Sequence, residues 1–251
     1  MGAAKSNRPE LTIVIPAYRE EQRIGATLDE LAGFLRRDRY FRDKAVEVLV
    51  VSAATPDKTR EIVLSKQKLF KRLRLLKPEQ RVGKGRDVRL GMLEAAGEIV
   101  VYMDADLATP LQHLEEFHKA CTHGNDVVIG TRDLSKHHPA LMRRSISNIG
   151  NVLFRLACGL WLEDSQCGFK MFTRQAGRLC FSKLTIQGWG FDMEVLTIAR
   201  LNGLKIKSYR IDDWNDAPYS TLTDNVAVVA LRSLKDLGYI TWNRLNGKYA
   251  Q

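Results

Sequence analysis

Short runs of β-branched residues alternate with amphipathic stretches in the first half of the chain, and this alternation constrains the fold more than any other feature. Leu11–Ile15 and Val46–Val51 are typical of buried strands, and apolar residues recur at helical spacing between them, from Glu20 to Arg37. The remaining predicted elements of this half are strands at 73–76, 99–103 and 126–129 and helices at 57–68 and 84–96. Strands that alternate with helices form a mostly parallel sheet with helices on both faces. The sequence therefore predicts an α/β fold.

The segments that follow the predicted strands are the expected ligand-binding elements. In sheets of this kind, ligands bind beyond the carboxyl ends of the strands. Four segments, 16–21, 52–57, 77–85 and 104–108, should therefore converge on one crevice. Directly after the last of them, Thr109 and Pro110 form a cap-then-proline pair that predicts the start of the next helix.

The alternation fades after Gly130. The patterns there predict a strand at 168–172, a helix capped by Thr173, an extended segment at 205–214 and helices at 143–160, 191–202 and 225–237. The last helix is predicted to be amphipathic. It is too short and too charged to span a bilayer, so it either packs on the core or lies in the membrane interface. With no Pro- or Ser-rich linker and no repeat, one domain over residues 1–251 is the simplest prediction.

The charge balance indicates an anionic partner. Lys and Arg number 39 against 29 Asp and Glu, a net charge of +10, which suits nucleic acid, phospholipid head groups or a phosphorylated molecule. The aromatic-plus-basic signature of nucleic-acid modules is missing, so nucleic acid is not expected. Residues 57–89 hold twelve Lys or Arg and four Asp or Glu. This stretch is either a solvated surface or one held against an anionic membrane.

The sequence predicts a cytoplasmic protein. The start of the chain has no apolar run typical of a signal peptide, and no charge-free apolar run reaches the length of a membrane span. The four cysteines include no C-x-x-C pair and no zinc-ligand spacing, which fits a reducing compartment.

Two loops carry the candidate chemistry. Asp104 and Asp106 follow the strand at 99–103, and in a turn their carboxylates can converge on one Mg(II) or Mn(II) ion that bridges phosphates. Gly83, Lys84 and Gly85 stand between a strand and a helix, where bare backbone and unpaired helix N–H groups bind anions. Walker A spacing is not present, which argues against a P-loop nucleotidase.

Taken as a set, the motifs resemble a known family. Segments 13–21, 83–85, 104–106 and 164–170 are similar to those of family-two glycosyltransferases of the GT-A fold. The segments 164–170, 189–194 and 214–218 look most like dolichyl-phosphate glucosyl- and mannosyltransferases, and the glucosyl branch is closer. The resemblance runs from Leu11 to Ser220. It implies a donor-binding half at about 11–130 and an acceptor-side half at about 131–251.

The resemblance also implies residue roles. Donor contacts fall on Pro16, Ala17, Tyr18, Glu20, Glu21, Ser52, Asp57, Lys84, Asp104 and Asp106. The metal ligands are Asp104 and Asp106, and the catalytic residues are Asp164, Asp106 and Gln166. The acceptor phosphate is gripped by Arg132, Arg143 and Arg144, because the planar guanidinium fork matches phosphate oxygens. For Arg143 and Arg144 a solvated helix start is the alternative.

The implied reaction is an inverting, metal-dependent hexosyl transfer. A nucleotide sugar, UDP-glucose or GDP-mannose, is the donor, and polyprenyl or dolichyl phosphate is the acceptor. The reaction takes place on the cytoplasmic face of a membrane, where an anionic surface holds the enzyme, and whether a separate anchoring partner also holds it stays open. The acceptor phosphate is already ionised, so Asp164 is expected to orient it or to stabilise an oxocarbenium-like state.

One motif departs from the family. Members usually carry Asp-Asp-Gly-Ser-x-Asp after the second strand, and here residues 52–57 read Ser-Ala-Ala-Thr-Pro-Asp. The first aspartate normally bonds the nucleotide base, and losing such a charge-assisted bond costs about 1.5–3 kcal/mol. The base therefore stays open, as do three alternatives: a soluble acceptor, a transferase that has lost activity, and a non-catalytic binding protein.

Overall fold

A seven-stranded mixed sheet forms the centre of the part of the chain that the computed structural model describes, which is residues 8–132, 167–214 and 226–250. The strands are β1 Leu11–Pro16, β2 Val46–Val51, β3 Leu73–Leu76, β4 Ile99–Met103, β5 Val127–Arg132, β6 Phe169–Thr173 and β7 Ile206–Ile211. Their order across the sheet is β3-β2-β1-β4-β6-β5-β7. Only β6 runs antiparallel to its neighbours β4 and β5, and the other pairs are parallel. The predicted mostly parallel α/β sheet is confirmed.

Helices cover both faces of this sheet. They are α1 Ile24–Arg37, α2 Thr59–Ser65, α3 Lys84–Glu94, α4 His113–Thr122, α5 Arg174–Lys183, α6 Phe191–Leu201 and α7 Val226–Leu245. Alternate side chains of β1 enter different cores: Val14 packs with α3, α5 and α6, whereas Ile13 and Ile15 pack with α1 and α4. Burying each such side chain contributes about 1.5–3 kcal/mol. Two apolar layers thus fix the sheet between the helices and hold its carboxyl edge in place.

One predicted helix start is wrong. Helix α4 begins at His113 behind Gln112, and Thr109 caps nothing, because its hydroxyl is buried without a hydrogen-bond partner among the described residues. Residues 110–114 instead form a turn, in which the amides of His113 and Leu114 donate to Pro110 and Leu111. By contrast, the predicted cap at Thr173 is confirmed, since its Oγ1 accepts from the amide of Ala176 at 3.3 Å.

The C-terminal part differs in extent from the prediction. Helix α7 continues eight residues beyond the predicted end at 237 and reaches Leu245. Its amphipathic character stays a prediction. The helix predicted at 143–160 lies outside the described residues.

Candidate active site

The loops after β1 and β2 are fastened to each other by Asp57. Its carboxylate accepts hydrogen bonds from the hydroxyls of Thr55 and Thr59 at 2.5 and 2.7 Å and from the amide of Glu21 at 3.2 Å. The Thr59 hydroxyl in turn accepts from the amide of Glu20 at 2.9 Å. Burial alone would raise the pKa of Asp57, but these hydrogen bonds stabilise the carboxylate more strongly, so its pKa is lowered. Asp57 thus shapes the loop, and a direct contact with the donor stays a prediction.

The end of β2 is joined to the segment after β3 by Arg60. Its guanidinium donates to the carbonyl of Ser52 at 2.8 Å and to the carbonyl of Pro78 at 3.0 Å. Ser52 itself is fully buried, and its hydroxyl reaches only the carbonyl of Ala53, at 3.5 Å. The predicted base contact of Ser52 is therefore not favoured by its position.

Three carboxylates lie within electrostatic reach of one another at the ends of β1 and β4. Burial and the charge of Asp104 raise the pKa of Asp106. Burial raises the pKa of Glu20, and the charges of Asp106 and Asp104 add to this. Between the two aspartates and α4, Leu107 adopts a left-handed φ of 53°, and the amide of Ala108 donates to Asp106 at 3.1 Å. Asp104 and Asp106 are close enough for the charge of one to raise the pKa of the other, and their joint binding of a metal ion stays a prediction.

Lys84 supplies the positive charge next to this cluster. Its ammonium lies 2.6 Å from Asp104 and 4.8 Å from the centre of the Trp189 ring. Burial alone lowers the pKa of Lys84, but the carboxylates of Asp104 and Asp192 outweigh burial and raise it. Lys84 is thus a permanent cation beside two aspartates that repel each other.

The aspartate pair fits a cation that takes most of its ligands from a substrate. Within residues 8–132, 167–214 and 226–250, no group of three or more His, Cys, Asp or Glu side chains could hold a metal by itself. Mg(II) is commonly bound by one or two carboxylates, with phosphate oxygens and water completing its shell. Lys84 offsets part of the repulsion between Asp104 and Asp106, and such an ion would offset it further.

A small cavity opens beside the aspartates and is bordered by the start of β6 and by Trp214. It is lined by Met103, Asp104, Asp106, Leu107, Ala108, Thr109, Gly168, Phe169 and Trp214. Gly168 packs so tightly on the Asp104 carboxylate that a Cβ would collide with it. Arg132, at the end of β5, lies with its guanidinium carbon 5.1 Å from the centre of the Trp214 ring. The structure therefore brings Arg132 close to the cavity wall.

Four predicted site residues lie outside the described residues: Asp164, Gln166, Arg143 and Arg144. Their roles stay predictions. The predicted donor residues Pro16, Ala17 and Tyr18 are placed at the end of β1, where the guanidinium carbon of Arg81 is 3.3 Å from the centre of the Tyr18 ring. Arg19, next in the chain, adopts a left-handed φ of 57°.

A buried polar cluster under the site was missed by the sequence reasoning. The Lys170 ammonium, fully buried in β6, donates to Asp192 at 2.5 Å and to the carbonyl of Cys167 at 2.6 Å. The hydroxyl of Tyr102 also donates to Asp192. A lysine inside the apolar run of β6 was the available signal, because a buried lysine requires a carboxylate partner. Asp192 also raises the pKa of Lys84, so this cluster reaches the site.

The glycine loop is held by close backbone packing. A Cβ at Gly83 would collide with the carbonyl of Gln187, and one at Gly85 would come within 2.8 Å of the carbonyls of Ile186 and Gly188. The segment 185–188 is fixed from below by Glu194, which accepts from the amides of Thr185 and Ile186 at 3.0 and 2.6 Å. The glycines thus permit the loop to pack closely on segment 185–188. The sequence interpretation had assigned them only a role in binding an anion.

Comparison with known proteins points to one family. Residues 12–178 match the family model described as Glycosyl transferase family 2. The chain is 35% identical to a dolichyl-phosphate beta-glucosyltransferase of Trichomonas vaginalis, over 82% of this chain and 66% of that relative. It is 32% identical to the Drosophila melanogaster enzyme of the same name, over 85% of this chain and 69% of that relative. The chain spans about two thirds of the length of the three Trichomonas relatives that it matches, 64–66%.

Solved structures share the fold. Glucosyl-3-phosphoglycerate synthase from Mycobacterium tuberculosis, solved with Mn2+, UDP and glucosyl-3-phosphoglycerate, superposes with a TM-score of 0.67 at 18% identity. The alignment covers 94% of this chain and 80% of that one. The same synthase with UDP alone gives a TM-score of 0.68 at 20% identity. The predicted GT-A form of the α/β fold is confirmed.

Proposed function

The chain belongs to glycosyl transferase family 2, and we propose that it is an inverting hexosyltransferase acting on a polyprenyl or dolichyl phosphate. The observation that carries this proposal is the pairing of Asp104 and Asp106 beside Lys84 at the carboxyl edge of the sheet. The names of the relatives, dolichyl-phosphate beta-glucosyltransferases, support glucose as the sugar and a dolichyl-type lipid as the acceptor. UDP-glucose is accordingly the proposed donor, and GDP-mannose is the alternative to be tested.

The chemistry is substitution at the anomeric carbon. An oxygen of the acceptor phosphate forms the new bond to this carbon while the bond to the donor diphosphate breaks, and the nucleoside diphosphate leaves. A divalent cation held by Asp104 and Asp106 would supply charge neutralisation for that leaving group. Lys84 adds a fixed positive charge at the same edge. The acceptor phosphate is ionised at neutral pH, so no proton has to be removed from it.

The acceptor would approach from the side of β5 and β6. Arg132 lies there beside Trp214, which lines the cavity next to the aspartates, so Arg132 is proposed to bind the acceptor phosphate. Asp164 and Gln166 precede Gly168, which contacts Asp104. Their proximity in sequence supports the proposal that Asp164 orients the acceptor, and Arg143 and Arg144 are proposed as further phosphate ligands.

An apolar surface on α7 supports attachment to a membrane. Among the described residues, nine large hydrophobic side chains are exposed, and five of these are on α7: Leu231, Leu234, Tyr239, Trp242 and Leu245. Leu231, Leu234, Trp242 and Leu245 follow helical spacing and form one stripe, with exposed fractions from 51% to 75%. The opposite side of the helix, with Leu237, Ile240 and Asn243, is buried.

Helix α7 packs beside the candidate active site through the side opposite the stripe, and its exposed side carries positive charge. Asp236, on α7, packs directly against Gly190, next to Trp189, whose ring lies over Lys84. Exposed Arg232 and Lys235 flank the stripe, and near an anionic bilayer each contributes about 1 kcal/mol. We therefore propose a peripheral enzyme held at the cytoplasmic face through α7, with or without a separate anchoring partner.

The basic stretch at 57–89 is a weaker candidate for this contact. Several of its cations are used within the protein: Lys66 pairs with Asp29 at 2.6 Å, and both Arg72 and Arg74 pair with Glu47. Within the described residues, no helix is long and apolar enough to span a bilayer.

The activity is tested by incubating the purified chain with labelled UDP-glucose or GDP-mannose, dolichyl phosphate and Mg(II) or Mn(II), and then measuring label in the lipid fraction. We expect glucose transfer that EDTA abolishes and that the Asp106→Asn variant lacks. A parallel reaction with a water-soluble phosphate ester as acceptor tests the alternative of a soluble acceptor. Neither transfer nor donor binding under any of these conditions would show that the chain is a binding protein or an inactive relative.

The membrane contact is tested separately by flotation with phosphatidylcholine vesicles with and without phosphatidylglycerol. We expect binding to the anionic vesicles and strong loss of binding in a Trp242→Ser, Leu245→Ser double variant. Leu64→Ser is the matched control, because Leu64 is exposed but lies on α2. Equal binding of all three proteins would remove α7 as the contact surface.

A further inference from the structure

Asp87 is a buried carboxylate to which the proposed function gives no role. It lies in the first turn of α3 and is only 3% exposed. Its Oδ1 is buried without a hydrogen-bond partner in the described part of the chain. Leaving a buried carboxylate oxygen unpaired costs at least about 1–3 kcal/mol, so such a group is expected to have a binding or catalytic purpose.

The packing of α3 places Asp87 at the carboxyl edge of β1 and β2. One turn further along the helix, Gly91 packs so closely against Val14 and Val51 that a Cβ would collide with both. The helix runs opposite to the two strands, and one helical turn corresponds to about two strand residues. Asp87 is therefore at the height of Ser52 and Ala53.

At this height, directly after β2, members of the family usually carry the first aspartate of the Asp-Asp-Gly-Ser-x-Asp motif. Ser52 stands there, buried, and its hydroxyl is directed at a neighbouring backbone carbonyl. Residues 52 and 53, at the end of β2, thus carry no carboxylate, and the helix that covers them carries a carboxylate with one oxygen that has no hydrogen-bond partner among the described residues.

The surroundings of Asp87 match the needs of a nucleobase. Arg81 lies close enough to Asp87 for its charge to affect the pKa of this carboxyl, and its guanidinium carbon is 3.3 Å from the centre of the Tyr18 ring. The guanidinium is a planar group with N–H donors, and it stacks on an aromatic face beside a carboxylate. A nucleobase with a ring N–H has the same planarity and the same donor, so it can take that place when Arg81 turns outward.

We propose that Asp87 recognises the base of the sugar donor by accepting a hydrogen bond from a ring N–H, in place of the carboxylate missing at Ser52. This inference rests on the proposed function, since it concerns the donor of that reaction. The ligand class is a base with a ring imide, as in uracil. Guanine also has a ring N–H, whereas cytosine has an acceptor at the corresponding position.

The charge state of Asp87 is compatible with this role. Burial raises its pKa to about 6, with the charges of Arg81 and Arg86 opposing the rise. At neutral pH the group is therefore mainly a carboxylate, which can only accept hydrogen bonds.

The test is calorimetric binding of UDP, CDP and GDP, each with Mn(II), to the full chain and to variants. We expect the wild type to prefer UDP to CDP. Asp87→Asn should weaken UDP binding about 10- to 150-fold, as expected for losing a charge-assisted bond, while binding CDP at least as well as the wild type does, because its amide can donate to cytosine. Asp87→Ala should also lose UDP affinity but should not gain CDP affinity. A Ser52→Asp, Asp87→Ala double variant should regain part of the UDP affinity.

Two outcomes overturn the inference. One is unchanged UDP affinity in Asp87→Asn, and the other is an equal loss for UDP, CDP and GDP, which would indicate a structural effect on the loop. A preference for GDP in the wild type that Asp87→Asn abolishes would retain the role of Asp87 and change the base to guanine. Asp43→Asn is the control, because Asp43 is 86% exposed and lies between α1 and β2.

Failure of this inference can be told apart from failure of the proposed function. If the wild type transfers glucose from UDP-glucose and Asp87→Asn keeps the wild-type base preference, only the assignment of Asp87 is wrong. If the wild type binds no nucleoside diphosphate and transfers no sugar, the proposed function and the inference both fail.

Discussion

Replacing Asp87 by asparagine should make the folded protein more stable at neutral pH. The pKa of this carboxyl is about 6 in the folded chain against an ordinary value of 3.8. A difference of one pKa unit corresponds to about 1.4 kcal/mol, so ionised Asp87 costs the folded state about 3 kcal/mol at pH 7 and above. Asparagine has nearly the same shape and no charge, so the variant does not carry this cost.

The sign and the pH range follow from proton linkage. Between about pH 4 and pH 6 the folded state binds more protons at Asp87 than the unfolded chain does, so the stability of the wild type falls as the pH rises through this range. Below it both states are protonated and the cost is absent. The stability difference between variant and wild type should therefore increase by about 2 kcal/mol from about pH 4.5 to about pH 7.5.

The measurement is urea unfolding of the wild type, Asp87→Asn and Asp43→Asn at several pH values. Asp43→Asn is the control for the loss of one exposed carboxylate. A pH-independent difference for Asp87→Asn, or one that falls as the pH rises, would show that the carboxyl is not desolvated in solution and would refute the reasoning.

Three further predictions concern the surroundings of the site. Asp106→Asn should abolish metal-dependent UDP binding in calorimetry while the melting temperature stays equal or rises, because burial and Asp104 already disfavour its charge. Lys170→Met should lower the free energy of unfolding by about 3–5 kcal/mol, since it leaves the buried Asp192 carboxylate without its cation, and adding Asp192→Leu should recover most of this loss in urea unfolding. Gly85→Ala should cost at least about 1–3 kcal/mol by the same measurement, because the added methyl meets the carbonyls of Ile186 and Gly188.

The parallel part of the fold could be predicted from sequence because it is built from local patterns. Largely apolar runs such as those at 46–51 and 99–103 are buried on both faces, and the intervening helices have periodic apolar faces. The elements can therefore be read from the sequence, and the connections between parallel strands are expected to be right-handed. Because ligand-binding loops follow the strands at one edge of such a sheet, these loops are expected to meet, as the hydrogen bond from the Glu21 amide to Asp57 shows.

What depends on distant partners could not be predicted. Nothing local in the sequence of β6 states that it pairs antiparallel with both β4 and β5. The failed cap at Thr109 has a related cause: a threonine before a proline favours a helix start, but here the turn at 110–114 comes first. The partner of Lys170 is Asp192, 22 residues away, and only the folded chain shows that they meet.

The contact between Gly168 and Asp104 has a practical consequence for redesign. A segment taken from another transferase to change which acceptor is used would include the residues just before or at this position. Any side chain larger than hydrogen at 168 would push the Asp104 carboxylate aside, so such a graft would damage donor binding as well. Chimeras that keep glycine at position 168 should retain their affinity for the nucleotide. Chimeras that replace it should lose affinity for the donor as well as for the acceptor.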